Sequence, residues 1–174
     1  MVYRRLTQLA KPRGITSVEL DKHLLVNTEQ QSVRFKIDRN EDLAAMAEWL
    51  KSEGVEFCVL DVLNRLHDGE ENSSDAMTRV MQRFDDLARD AGCQVCLIHH
   101  TNKAGGVKGS TAIEGWADWI ARLEQSADDE EVKTLFLRTK SSGAVVPRTI
   151  RYWQSPDQTE SRLQVITTRY TEAA

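Results

Sequence analysis

The 174 residues are enough for one domain with a true hydrophobic core, and a composition of 40% hydrophobic and 29% charged residues is that of a soluble globular protein. No apolar run approaches the ~20 residues of a membrane helix, and Met1-Val2-Tyr3-Arg4-Arg5 lacks the apolar centre of a secretory leader, so no membrane association and a cytoplasmic location are expected. A net charge of −4 argues against binding nucleic acid over the whole surface and leaves room for a local basic loop.

Tyr3 to Lys11 places Leu6, Leu9 and Ala10 on one helical face, and Pro12 and Gly14 stop the helix. Leu24-Leu25-Val26 reads as a short strand, and Val33, Phe35 and Ile37 alternate like a strand or an extended loop. Glu41 to Glu53 is an amphipathic helix through Leu43, Ala47 and Leu50, closed by Gly54. The run Phe57 to Leu63 follows, a strand expected to be covered on both faces, with Asp61 inside it.

Residues 64–75 form a polar, acid-rich loop in which Ser73 or Ser74 can cap the next helix. That helix, Asp75 to Ala91, repeats Met77, Val80, Met81, Phe84, Leu87, Ala88 and Ala91 at three and four residues. Gly92 ends it and Gln94 to His99 is the next strand. Helix–strand–helix–strand with long connections predicts parallel strands joined by right-handed crossovers. After a Gly- and Lys-bearing loop and a short helix at Ala112 to Ala117, four strands are expected: Trp119–Glu124, Val132–Thr139, Thr149–Trp153 and Leu163–Thr168. They read as antiparallel hairpins extending one edge of the parallel sheet, all within a single domain of residues 1–174.

Cys93 and Cys96 form a C-x-x-C that closes a helix and enters a strand. With no second pair or suitably spaced histidines for zinc, core packing of reduced thiols is the expected role.

Two consecutive apolar strands end in polar groups, the first in Asp61 and the second in His99-His100. On neighbouring parallel strands these ends share one sheet edge, where ligands of open α/β sheets gather. Asp61 is a candidate metal-linked carboxylate, or an acceptor in the following turn. Adjacent strand residues point to opposite faces, so one histidine at most faces such a ligand, and it is either a hydrogen-bonded structural residue or, paired with Asp61 beside the basic loop, a functional one. Lys103 and Lys108, beside Gly105, Gly106 and Gly109, give a loop suited to phosphates or a solvated loop.

The strand ending in Asp61, the loop Leu63-Asn-Arg-Leu-His-Asp-Gly-Glu-Glu-Asn72 and the helix to Asp90-Ala-Gly-Cys93 together resemble one family. So do the strand ending His99-His100-Thr-Asn-Lys103 and the segment Lys108-Gly-Ser-Thr111. Their combination is similar to the RecA-like motor ATPases, in particular the RepA-type hexameric replicative helicase and its AAA-type relatives, over most of the chain. The resemblance implies an α/β fold: a RecA-like P-loop NTPase core, mainly parallel sheet flanked by helices, with antiparallel carboxyl-terminal strands.

It further implies that Asp61 is the Walker B aspartate holding Mg²⁺ through water, and that His100 senses the γ-phosphate of ATP. Loops 64–74 and 101–111 would face a central channel and single-stranded DNA, with Lys103 and Lys108 on backbone phosphates. Lys140 resembles the basic residue projected into a neighbour's nucleotide site. Ser142 and Asp118 stand where relatives carry an arginine finger.

No G-x-x-x-x-G-K-[ST] occurs in the sequence, so the first P-loop βα unit and the catalytic glutamate of the family are absent. Tyr3-Arg-Arg-Leu is similar to the helix that follows that glutamate, so the chain is expected to begin after the catalytic half. Two functions are open: a partial ATPase, inactive alone and needing a homo-oligomer or a P-loop-bearing partner, or a non-catalytic RecA-fold module for oligomerisation or DNA binding. A hydrolase using Asp61 and His100 is a weaker third, without a G-x-S-x-G elbow.

Overall fold

The structure, a computed structural model, describes residues 2–26, 35–102, 106–140, 146–155 and 161–166. The chain divides into two compact units, Glu29–Ala117 and the pair of segments Met1–Thr28 and Asp118–Ala174. Its architecture is mixed α/β, with a parallel and an antiparallel sheet.

In the first segment, α1 (Val2–Ala10) and α2 (Ser17–His23) are separated by a single 3₁₀ turn ending at Gly14. Helix α2 starts in a capping box: the Glu19 N–H donates to Thr16 Oγ1, while the Thr16 N–H donates to Glu19 Oε2 at 2.8 Å. The strand expected at Leu24–Val26 does not form; this segment leaves α2 without regular structure. Part of the expected 32–38 strand lies outside the described residues, and Phe35 to Asp38 form no strand.

The Glu29–Ala117 unit is built on α3 (Asn40–Ser52), β1 (Phe57–Asp61), α4 (Ser74–Ala91), β2 (Gln94–Ile98) and α5 (Thr111–Trp116). Strands β1 and β2 pair in parallel, from Phe57 opposite Gln94 to Asp61 opposite Ile98. Helices α3 and α4 bring Leu43, Leu50, Met77, Met81, Phe84 and Leu87 into one core with Cys58 and Leu60. Ser73 caps α4 and Gly92, at φ 71°, ends it in the left-handed conformation that glycine adopts without a Cβ penalty.

Strand β1 departs from its expected two-sided burial. Its residues alternate, with Cys58 and Leu60 buried and Phe57, Val59 and Asp61 exposed. The helices cover one face, and Phe57 and Val59 keep about half their surface in solvent at 53% and 54%. A continuous apolar run is compatible with either arrangement, and period-2 geometry then decides which residues face the helices.

The other unit carries β3 (Trp119–Gln125), β4 (Val132–Thr139), β5 (Val146–Gln154) and β6 (Ser161–Ile166) in an antiparallel sheet of that order. The expected strands are present within the described residues, while Thr167 and Thr168, the end of the last one, lie outside them. However, among the described residues they form a four-stranded sheet of their own, distinct from the β1–β2 sheet they were expected to extend. Among the described residues two strands pair in parallel and four antiparallel, against the expected mainly parallel sheet. Helix α1 packs on β6, where buried Ser161 donates to Gln8 Oε1 at 3.2 Å.

Candidate functional site

The carboxyl ends of β1 and β2 lie side by side because the two strands pair in register. Asp61 closes β1 opposite Ile98, and His99 and His100 follow directly. Asp61 and His100 are both exposed, while His99 is half-buried. The peptide bond from Asp61 to Val62 is cis.

His99 turns inward to the loop, its Nε2 donating to the Lys108 carbonyl at 2.6 Å. The carbonyl of His100 receives the Lys108 N–H at 3.2 Å. Thr101 and Val107 form an antiparallel bridge, and the Asn102 side chain accepts from the Gly106 N–H at 3.0 Å. The part of loop 101–111 within the described residues is therefore folded back on itself. Lys103 lies outside the described residues, as does Ser142.

The polar loop after β1 is anchored from two sides. On one, Lys36 Nζ donates to the His67 carbonyl at 3.0 Å and pairs with Asp68 Oδ1 at 2.7 Å. The Asp68 N–H also donates to Asp38 Oδ2 at 2.8 Å. On the other side Glu71 reaches the second loop: its carbonyl accepts the Ser110 N–H at 2.8 Å and its Oε2 stands 3.2 Å from Lys108 Nζ. Gly109 has φ 92°, and a Cβ there would come within 2.8 Å of the Glu71 carbonyl oxygen. The close crossing of the two loops thus needs glycine at this position.

His67 is buried at 4% exposure, and neither ring nitrogen has a hydrogen-bond partner among the described residues. Its burial pushes the imidazole below its ordinary value of 6.5. Glu71, Asp38 and the nearby Gly69 backbone, which stays outside hydrogen-bond geometry, pull the other way, and Lys36 reinforces the decrease.

The three cysteines are free and sit behind the sheet edge, Cys58 and Cys93 buried and Cys96 half-buried. Burial, with smaller effects from Cys93 and Cys96, pushes the Cys58 thiol up to about 11. These thiols are protonated packing groups at neutral pH.

Sequence reasoning singled out Asp61, His100 and Lys108 as candidates and missed the partnership of Glu71 with the second loop and the burial of His67. The acidic pair Glu70-Glu71 facing a basic loop was the available sign. Lys140 belongs to the other unit, at the end of β4, where its N–H donates to the Asp118 carbonyl at 2.8 Å. No helix among the described residues is long and apolar enough to cross a membrane. A family model described as an AAA domain matches residues 1–106, more than half of the sequence, and the chain belongs to this family of ATPase-like domains.

Proposed function

We propose that this chain is the magnesium-and-sensor side of a RecA-like motor ATPase of the RepA-type replicative helicase kind. In this reading Asp61 holds Mg²⁺ through water and His100 senses the γ-phosphate. Lys140 reaches a nucleotide bound by a neighbouring copy, and Lys103 and Lys108 meet single-stranded DNA. The observation that carries the reading is the in-register parallel pairing of β1 and β2, which sets Asp61 and His99-His100 on adjoining strand ends of an AAA family chain.

The donor set suits magnesium of a bound nucleotide. Mg²⁺ keeps several waters and takes one or two carboxylates plus phosphate oxygens, and Asp61 is a single exposed carboxylate at the sheet edge. Among the described residues no three His, Cys, Asp or Glu side chains gather into a metal nest of their own. When bound, the ion would neutralise charge developing on the β- and γ-phosphates. Asp61 would orient the ion's water shell, and the exposed His100 imidazole would offer an N–H to a phosphate oxygen.

The sequence contains no phosphate-cradling G-x-x-x-x-G-K-[ST], so the nucleotide has to be gripped by P-loop residues outside these 174. The same feature favours a second reading, a non-catalytic module that keeps the fold for oligomerisation or DNA binding.

Calorimetric titration of Mg·ATP into the isolated chain tests the first reading. Affinity no better than millimolar is expected, and micromolar affinity would overturn it. Restored Mg²⁺-dependent turnover on adding a P-loop-bearing partner, lost again with Asp61→Asn, would distinguish the ATPase from the module.

A further inference from the structure

The four-stranded sheet has a charge balance opposite to that of the chain. Its strands hold six basic residues, Arg122, Lys133, Arg138, Arg148, Arg151 and Arg162, against one acid, Glu124, in a protein of net charge −4. The antiparallel register sorts these side chains by face, because directly opposed residues project to the same side. Arg122 opposes Phe136, Ile120 opposes Arg138, Val132 opposes Arg151, and Trp153 opposes Arg162. Counting by twos along each strand puts Arg122, Arg138, Arg151 and Arg162 on one face, one from every strand.

Two aromatic rings lie among them. The Arg122 guanidinium sits 4.9 Å from the Phe136 ring centre and that of Arg162 5.6 Å from the Trp153 ring centre. Arg138, Arg151 and Arg162 are exposed. Two ion pairs on this face, Arg122 with Glu124 at 3.0 Å and Arg151 with Asp129 at 3.3 Å, are both about half in solvent, and Arg138 and Arg162 have partners as well. Such pairs are weak and exchange readily for another anion. Within the four strands this face carries four guanidinium groups and one carboxylate, Glu124, with Asp129 reaching Arg151 from the turn.

We propose that this face binds single-stranded nucleic acid, with backbone phosphates on the arginine row and unpaired bases against the guanidinium–aromatic stacks. Phosphate contacts and base stacking are the two contributions that sequence-tolerant single-strand binding combines. The acidic turn Asp128–Glu131 at one end of β3 and β4 repels phosphates and bounds the path there. The proposal does not depend on the ATPase reading or on the lysines of the 101–111 loop.

The test is fluorescence anisotropy of a labelled oligothymidine of about 20 nucleotides with the full chain, across a salt series starting near 50 mM. Arg138→Gln with Arg162→Gln, two exposed positions, should weaken binding at least tenfold at low salt. The same pair should reduce the salt slope by about 1.4, at ~0.7 per phosphate contact on a single strand. Arg138→Lys with Arg162→Lys should keep most of the slope. Circular dichroism on each variant checks the fold. Lys108→Ala reports on the loop separately: loss with the lysine variant and none with the arginine pair would overturn the sheet surface. No binding by the full chain near 50 mM salt, or duplex bound as tightly as the single strand, would also overturn it.

Discussion

Lys108 Nζ stands 3.2 Å from Glu71 Oε2, and this pair joins the two loops that follow β1 and β2. Lys108 therefore has to leave a carboxylate before it can meet a phosphate. The pair is uneven in exposure, with the Lys108 side chain 53% exposed and Glu71 17%.

Glu71→Gln should lower stability by no more than about 1 kcal/mol, the usual worth of a solvent-touching ion pair. The backbone bond from Ser110 to the Glu71 carbonyl is untouched by this change. Urea denaturation measures the difference. A loss above ~3 kcal/mol would show that the carboxylate serves as the partner of a buried group, beyond its pair with Lys108.

Gly109→Ala should be far more damaging than its neighbour in sequence suggests. The added Cβ meets a backbone oxygen at 2.8 Å, and φ 92° is unfavourable for any L side chain. The expected cost is about 1–3 kcal/mol. Gly115→Ala is the control: it lies in α5 with nothing within 4 Å of the new Cβ. That substitution should be neutral or stabilise by about 0.5–1 kcal/mol. Thermal melts of the two variants should shift in opposite directions or differ clearly in size.

His67 sets a pH dependence. Its folded-state value lies below the ordinary 6.5, so between the two values the unfolded chain binds the proton and the folded chain does not. The contribution to stability is whole above pH 6.5 and is lost as pH falls toward the folded-state value. His67→Met, an uncharged side chain for the same buried space, should flatten this part of the stability–pH curve. An unchanged slope would locate the titration elsewhere.

Cys58 should resist alkylation. A thiol at about 11 against an ordinary 9.0 holds roughly a hundredfold less thiolate at neutral pH. Iodoacetamide labelling followed by mass spectrometry should find Cys58 modified at least that much more slowly in the native chain than in urea. Equal rates would mean that the strand opens on the labelling timescale.

Much of the fold was legible where one periodicity dominates. Met77, Val80, Met81, Phe84 and Leu87 can lie on one face only if the segment is helical, and they are buried as that spacing requires. The alternating runs Trp119–Glu124 and Val132–Thr139 likewise marked strands that the structure forms. Helix α2 escaped notice although Thr16-x-x-Glu19 spells a capping box, because its body lacks an apolar stripe. Leu24-Leu25-Val26 looked like a strand by composition, but no ladder partner is supplied there.

Asp61 and His99-His100 stand out as candidates in the local sequence because each ends an apolar run. The crossing of Glu71 with Lys108, Gly109 and Ser110 could not be found there, since it joins segments on opposite sides of α4 and β2. Nor could the sorting of four arginines onto one face, which depends on strand register rather than on any run of residues.

One consequence follows from the alternation of β1. Asp61 shares its side of the strand with Phe57 and Val59, so the carboxylate and the uncovered apolar patch form one continuous surface. Any body that seals the patch also strips water from the acid and lowers the dielectric around it, strengthening its pull on a cation. Assembly and ion affinity at this strand are then thermodynamically linked, each raising the other.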